Sequence, residues 1–287
     1  KIYMSKKYPI TISSWSLGDQ CTFEERVCAA KNAGFEGIGL RAETYVDALA
    51  EGLHDEDLLH ILEQYQIRVT EVEYIVQWAE EQRSYEQKYK EQICFHMCRL
   101  FDVSQINCGL MENYSVDYMA QKLKELCQRA QDLVIGVEPM PYSGIPDIHK
   151  AWNIVKVSGC ENAKILLDAW HWIRANQSYD PALLADIPAD KIVSIQINDV
   201  LERPYANAIL RDESMHDRLA PGTGFGDSAS FLSMIRDKGV QPKVIGVEVI
   251  SDDILSRGLE EAAQYNYTAA VKILEQVWPE LLENKEN

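Results

Sequence analysis

Eight short apolar runs recur along this chain at intervals of roughly thirty residues, each leading into a stretch with helical periodicity. In order they are ITISSW (10–15), FEGIGLR (35–41), IRVTEVEYI (67–75), VSQINCGL (103–110), LVIGVEPM (133–140), AKILLDA (163–169), DKIVSIQINDV (190–200) and KVIGVEVI (243–250). Between them the helix signals are explicit. Thr22 with Glu25 reads as a capping box, and Gly34 closes that helix as a C-cap. DEDLLHILEQYQ (55–66) is amphipathic, SYEQKYKEQICFHMCRLF (84–101) makes a long helix, and Ser115 caps the next one. Further helices are expected from about 146 to 157, over DPALLADI, over SASFLSMIRDKG and from about 259 to 281, with an irregular section at 201–226. Such alternation selects a parallel sheet with helices outside it. A doubly wound sheet would carry a glycine fingerprint after its first strand, and SSWSLGDQ is not one. A length of 287 residues fits a (β/α)8 barrel of ~250 residues with decorations. The expected architecture is α/β, one TIM-barrel domain over residues 1–287.

The charge balance is 28 − 45 = −17, spread along the sequence. A surface that acidic repels phosphate backbones and anionic lipid, which argues against nucleic acid and membrane as partners. It favours a neutral small molecule, or a local cation that offsets the field. No apolar run approaches the ~20 residues of a membrane span, and KIYMSKKYPITISSW lacks the apolar core of a signal peptide. Seven cysteines are scattered with no CxxC, so a reducing, cytoplasmic location is expected. Cys94 and Cys98 lie one helical turn apart with His96 between them, and buried thiols on a helix face are the expectation there.

In a (β/α)8 barrel the carboxyl ends of the strands carry the chemistry. The residues at those ends are Trp15, Arg41 with Glu43, Glu73, Cys108 to Met111, Glu138, Asp168 with His171, Gln196 with Asn198 and Asp199, and Glu248. Glu138, Asp168, Gln196 and Glu248, on four consecutive strands, are placed to converge on one cation. Three carboxylates and an amide oxygen form a hard ligand set, suited to Mn2+ or Mg2+ and open to Co2+ or Zn2+. Coordination positions left open would take two oxygens of a polyol or hydroxyketone and acidify the adjacent C–H or O–H. Trp15, Arg41 and Glu73, on the first three strands, are candidates for substrate contact. The PGTGFG loop lacks the GK[ST] of a P-loop and reads as a turn. His54, His96 and His149 carry little signal, while His216 lies in the irregular section close to Arg218.

GVEPM, LLDAWH, IQIND, RLAPGTG and GVEV, in that order, resemble the xylose isomerase-like barrel superfamily over nearly the whole chain. That superfamily includes sugar-phosphate isomerases and epimerases, tagatose- and psicose-type epimerases, inosose isomerases and dehydratases, and 3-dehydroshikimate dehydratases. The resemblance implies that Glu138, Asp168, Gln196 and Glu248 hold the metal. It also implies that Glu138 and Glu248 flank the substrate as acid and base. His171 would approach substrate or metal, and Arg218 would bind substrate oxygens beside Glu248. One motif departs. Where the family has His-x-Lys-Asp on strand seven, this chain has Gln196-Ile197-Asn198-Asp199. Gln keeps a neutral ligand and occurs in the dehydroshikimate dehydratase-like branch. The missing Lys weakens the case for a phosphorylated substrate.

The expected function is therefore proton transfer on a sugar, cyclitol or related polyhydroxylated substrate, as an isomerase, epimerase or lyase, with one divalent cation, Mn2+ ahead of Mg2+, Co2+ or Zn2+. Two alternatives stand beside it. One is the catalytic subunit of a C-glycoside deglycosidase, which cleaves a sugar–aromatic C–C bond with a smaller partner subunit. The other is a non-catalytic sugar-binding barrel. An oligomer is expected in either enzymatic case. Repair endonucleases share the barrel but use a His-rich metal cluster and a basic face, which six histidines and a charge of −17 do not supply.

Overall fold

In the computed structural model, which describes residues 8–204 and 209–284, each apolar run contains a strand, and the eight close in sequence order into a parallel barrel. The strands are β1 (Ile10–Ile12), β2 (Gly37–Arg41), β3 (Arg68–Ile75), β4 (Gln105–Cys108), β5 (Val134–Val137), β6 (Ala163–Asp168), β7 (Ile192–Ile197) and β8 (Ile245–Val247). Closure runs through Ile10↔Ile245, Thr11↔Gly246 and Ile12↔Val247. A closed sheet leaves no strand edge to pair with another chain.

The helices are α1 (Phe23–Ala33), α2 (Ala42–Ala50), α3 (Asp55–Tyr65), α4 (Tyr85–Phe101), α5 (Val116–Ala130), α6 (Ile148–Ser158), α7 (Ala169–Asn176), α8 (Leu210–His216), α9 (Ser228–Asp237), α10 (Asp252–Leu255) and α11 (Leu259–Val277). The Thr22–Glu25 capping box is formed, and Gly34 ends α1 at φ 110°. Ser115 Oγ accepts from the Tyr118 amide at the start of α5. Among the described residues no helix is long and apolar enough to cross a membrane.

Three segments differ from expectation. Helix α2 begins where β2 ends, so Glu43 sits in its first turn rather than at a strand end. DPALLADI supplies only a 3-10 turn at Pro181–Leu184. The helix after β6 is instead α7, because Asp168 Oδ1 accepts from the His171 amide at 3.0 Å and caps a helix immediately. The irregular section contains α8, and its residues 205–208 lie outside the described residues.

Barrel interiors are ordinarily filled by layers of branched apolar side chains. Here most inward positions are polar or glycine, with Leu166 beside Ser194 an apolar exception. Ser13 Oγ donates to Glu71 Oε1 at 2.8 Å, Ser14 Oγ to Glu73 Oε1 at 3.0 Å, and Gln105 Nε2 to Ser194 Oγ at 2.8 Å and Asn107 Oδ1 at 2.9 Å. The glycines make the room. A Cβ on Gly39 would lie 2.9 Å from Glu71 Oε1, and one on Gly246 would lie 2.9 Å from Ser13 Oγ. Strand alternation sends the intervening residues the other way, and Ile38, Leu40, Val72, Ile106, Val137, Ile195 and Val247 are buried in the one large apolar cluster. Seven free thiols complete the count, Cys94 and Cys98 among the buried ones.

Candidate metal centre and active site

Glu138 follows β5, Asp168 ends β6, Gln196 lies in β7 and Glu248 follows β8. Ligand atoms of Glu138, Asp168 and Glu248 all lie within 4.8 Å of one another, and the three are buried. The Gln196 amide oxygen faces Glu138 Oε1 at 3.1 Å and Glu248 Oε2 at 3.0 Å; turned over, its nitrogen would donate to both. Acceptors pointed at acceptors are reconciled by a cation between them, by a proton on either carboxyl, or by turning the amide. Three carboxylates, two of them held above their usual proton affinity, together with an amide oxygen fit a hard divalent ion. Burial pushes the carboxyl pKa values of both Glu138 and Glu248 well up, with Glu248 adding to the first and Glu73 to the second.

Arg218, expected beside Glu248, is buried there although it lies in the irregular section. It is 1% exposed. Its Nη1 donates to Asp168 Oδ2 at 2.9 Å and Glu248 Oε2 at 3.2 Å, Nε to the Ser214 carbonyl at 2.8 Å, and Nη2 to Ser214 Oγ at 2.9 Å. Nη2 also meets His171 Nε2 at 3.3 Å. A guanidinium has no acceptor, so Nε2 accepts and the imidazole hydrogen resides on Nδ1. That Nδ1 is buried without a partner. Burial, against the pull of Asp168 and with Arg218 adding, drives the His171 pKa down to about 3, so the ring is neutral. Its Nε2 is 3.5 Å from Glu138 Oε1. Asn198 Nδ2 donates to Asp168 Oδ2 at 2.9 Å and so orients a ligand.

Above this cluster lies a cavity of about 500 Å³, bordered by Glu138, Glu248, His171 and Arg218 below and by Trp15, Arg41 and Glu73 on the wall formed by the first three strands. Asp168 and Gln196 do not border it. The Arg41 guanidinium lies 3.4 Å from the centre of the Trp15 ring. Glu43, at the rim, pairs with Lys90 at 2.6 Å. Glu73 receives Asn107 Nδ2 at 3.3 Å, and burial, then the charge of Glu71, raises its pKa to about 8. Glu71 lies deeper, bonded to Ser13 and to Gln196 Nε2 at 3.3 Å, and burial followed by Glu248 raises it to about 7.

Several residues at the mouth carry no strand-end signal. Tyr74 borders the cavity, and its hydroxyl fits only because residue 109 is glycine, where a Cβ would lie 2.0 Å from that oxygen. Tyr142 packs edge-on to His171 at 5.6 Å and its hydroxyl meets Ser214 Oγ at 3.2 Å. Conversely, Asp199 is structural. Its carboxylate accepts from the amides of Val200, Gly224 and Gly226 and from Ser228 Oγ, bracing the PGTGFG turn. Of the Cys108–Met111 group, only Met111 reaches the cavity. His96 pairs with Asp55 and His216 with Asp252, both away from the acidic cluster.

A model of the xylose isomerase-like TIM barrel family matches residues 27–275. The chain belongs to this family. It is similar to a 3-dehydroshikimate dehydratase of Pseudomonas aeruginosa, 29% identical over 137 residues, which are 47% of this chain and 21% of that protein. The match thus spans about a fifth of the length of the curated relatives. Solved structures that share the fold include the following two. One is a xylose isomerase-like TIM barrel/4-hydroxyphenylpyruvate dioxygenase fusion protein, at TM-score 0.81 and 20% identity over 96% of this chain and 44% of that one. The other is the IOLI protein with a bound zinc atom, at TM-score 0.81 and 18% identity over 94% of this chain and 99% of that one.

Proposed function

We propose that this protein is a divalent-metal-dependent enzyme that moves a proton on carbon beside a carbonyl or hydroxyl of a sugar, cyclitol or related polyhydroxylated substrate, as an isomerase, epimerase or dehydratase. One observation carries the reading. Of the four residues able to hold a cation, Glu138 and Glu248 also border the cavity, whereas Asp168 and Gln196 lie beneath it. Two ligands that also border a substrate space are the natural acid and base, and two that do not are left to hold the ion. A bound cation supplies Lewis-acid polarisation of a substrate oxygen pair. Neutral His171, with Nε2 accepting from Arg218 and 3.5 Å from Glu138 Oε1, positions these groups and leaves proton transfer to Glu138 and Glu248. Arg218 fixes Asp168 and Glu248 and keeps positive charge at the cavity floor. Likeness to dehydroshikimate dehydratases supports elimination as one outcome, and a hard oxygen set supports Mn2+ or Mg2+.

The test uses Mn2+-loaded protein in D2O with ketoses, inososes, 3-dehydroshikimate and C-glycosides, read by mass spectrometry for deuterium uptake and water loss. At least one class reacts, and Glu138→Gln or Glu248→Gln slows it by at least ~10³-fold with the fold intact. Folded protein that takes up no divalent cation and alters no substrate overturns the proposal.

A further inference from the structure

We propose that Arg41, stacked on Trp15, is a carboxylate-binding subsite, so that the substrate is a polyhydroxylated acid rather than a neutral sugar. The inference rests on the proposed function and names its substrate class. Among the described residues the Arg41 side chain has no ion pair and no hydrogen bond, and its Nε is buried without an acceptor. The other cations at the cavity differ. Arg218 spends its donors on Asp168, Glu248, Ser214 and His171, Lys90 is held by Glu43 at 2.6 Å, and Arg211 is exposed.

The stack explains what the free guanidinium is built for. An indole 3.4 Å away covers one face of the group and leaves its N–H edges in the plane. A planar fork of donors matches the two oxygens of a carboxylate, and a hydroxyl fills only half of it. The charge count separates carboxylate from phosphate. Glu43, Glu73 and Glu112 also border the cavity, and Glu112 Oε2 is itself buried without a partner. In that company Arg41 is the one half-buried cation without a partner among the described residues, with Arg211 exposed, and that favours a single negative charge over a doubly charged phosphate. Arg41 and the metal-ligand end share one cavity of about 500 Å³, and the positive charge of Arg41 is felt at Glu248 and Glu73. A monosaccharide-sized acid spans both ends, with its oxygen pair over Glu138 and Glu248 and its carboxylate at Arg41.

The experiment is calorimetric binding to the Mn2+-treated full chain of shikimate, quinate and D-galacturonate, each against its uncharged methyl ester. At least one acid binds about tenfold or more tighter than its ester, and Arg41→Gln removes that advantage while the ester affinity stays within about threefold. Arg41→Lys, which keeps the charge and loses the fork, restores part of it and covers the case in which the Gln variant fails to fold. Acids that bind no better than their esters, or an advantage that survives in Arg41→Gln, overturn the proposal. Binding is read without turnover, so an acid preference in a protein that fails the deuterium test separates this inference from the catalytic one.

Discussion

Asp168 and Arg218 form an ion pair at 2.9 Å in which both side chains are almost wholly buried, tying the end of β6 to the segment that follows α8. Removing one member of such a pair leaves the other charge buried alone, which costs about 3–5 kcal/mol. Arg218→Met is therefore expected to lose about that much stability in chelator-treated protein, measured by urea unfolding. Mn2+ should recover part of the loss, because a cation replaces the missing positive charge beside Asp168 and Glu248. Equal losses with and without Mn2+ would count against a cation site there.

Protonation gives a second expectation. Glu71 and Glu73 have folded pKa values raised to about 7 and about 8, so they stay protonated in the fold where the unfolded chain has ionised. Their stabilising contribution is full below the unfolded carboxyl value and is lost as pH rises through 7 and 8. His171, lowered to about 3, acts in the opposite sense below its unfolded value, losing stability as pH falls toward 3. Between pH 5 and 8 the falling contributions of Glu71 and Glu73, joined in the same sense by Glu138 and Glu248, oppose the rising one of His171. Chelator-treated protein should lose on the order of 5 kcal/mol or more across that window. Metal binding should strengthen with pH, since the ion displaces protons from its carboxylates. Urea midpoints at three pH values, with and without Mn2+, measure both trends.

Gly109 and Tyr74 compete for one space. A Cβ at Gly109 would meet the Tyr74 hydroxyl at 2.0 Å and Met140 Cε at 2.8 Å. Gly109→Ala should push the phenol out of the cavity wall and lower kcat/KM by about 10- to 100-fold. Combining it with Tyr74→Phe should restore stability that the single alanine change loses. Strict additivity of the two in a double-mutant cycle would refute the clash.

Asp199→Asn tests the separation of brace from ligand. The amide would turn an N–H toward the amides of Val200, Gly224 or Gly226, and stability should fall by about 2–4 kcal/mol. Mn2+ stoichiometry by elemental analysis should be unchanged. Metal lost on this substitution would move Asp199 into the site.

The barrel was legible because each strand is an apolar run bounded by polar helix, and the ligand set because Glu138, Asp168, Gln196 and Glu248 stand at or just past the ends of consecutive strands. What escaped was the inside. IRVTEVEYI alternates like a strand with one wet face, and only closure of the sheet turns Glu71 inward beneath Glu73, which was already expected at the mouth. A signal was present in Gly136-x-Glu138 and Gly246-x-Glu248, where a glycine two residues before a ligand shares its face and clears room for neighbouring polar groups. Arg218 was placed beside Glu248, but its burial and its full set of contacts depend on how α8 returns the chain over the barrel mouth, which local sequence does not encode. Tyr74 and Tyr142 gave no pattern at all, because a lone aromatic reads the same in packing and at a site.

The hydrogen-bonded interior has an evolutionary consequence. Dispersion contacts are indifferent to direction, so an aliphatic barrel centre can drift through many combinations of similar volume. A centre built from Ser13, Glu71, Asn107, Ser194 and Gln196 has to conserve donors and acceptors one for one. Its floor therefore tolerates a change only where donor and acceptor are matched again, as with Gln196 in place of the family's His. New specificities would arise more easily at the rim, around Trp15, Arg41 and Tyr74, than in the layer beneath.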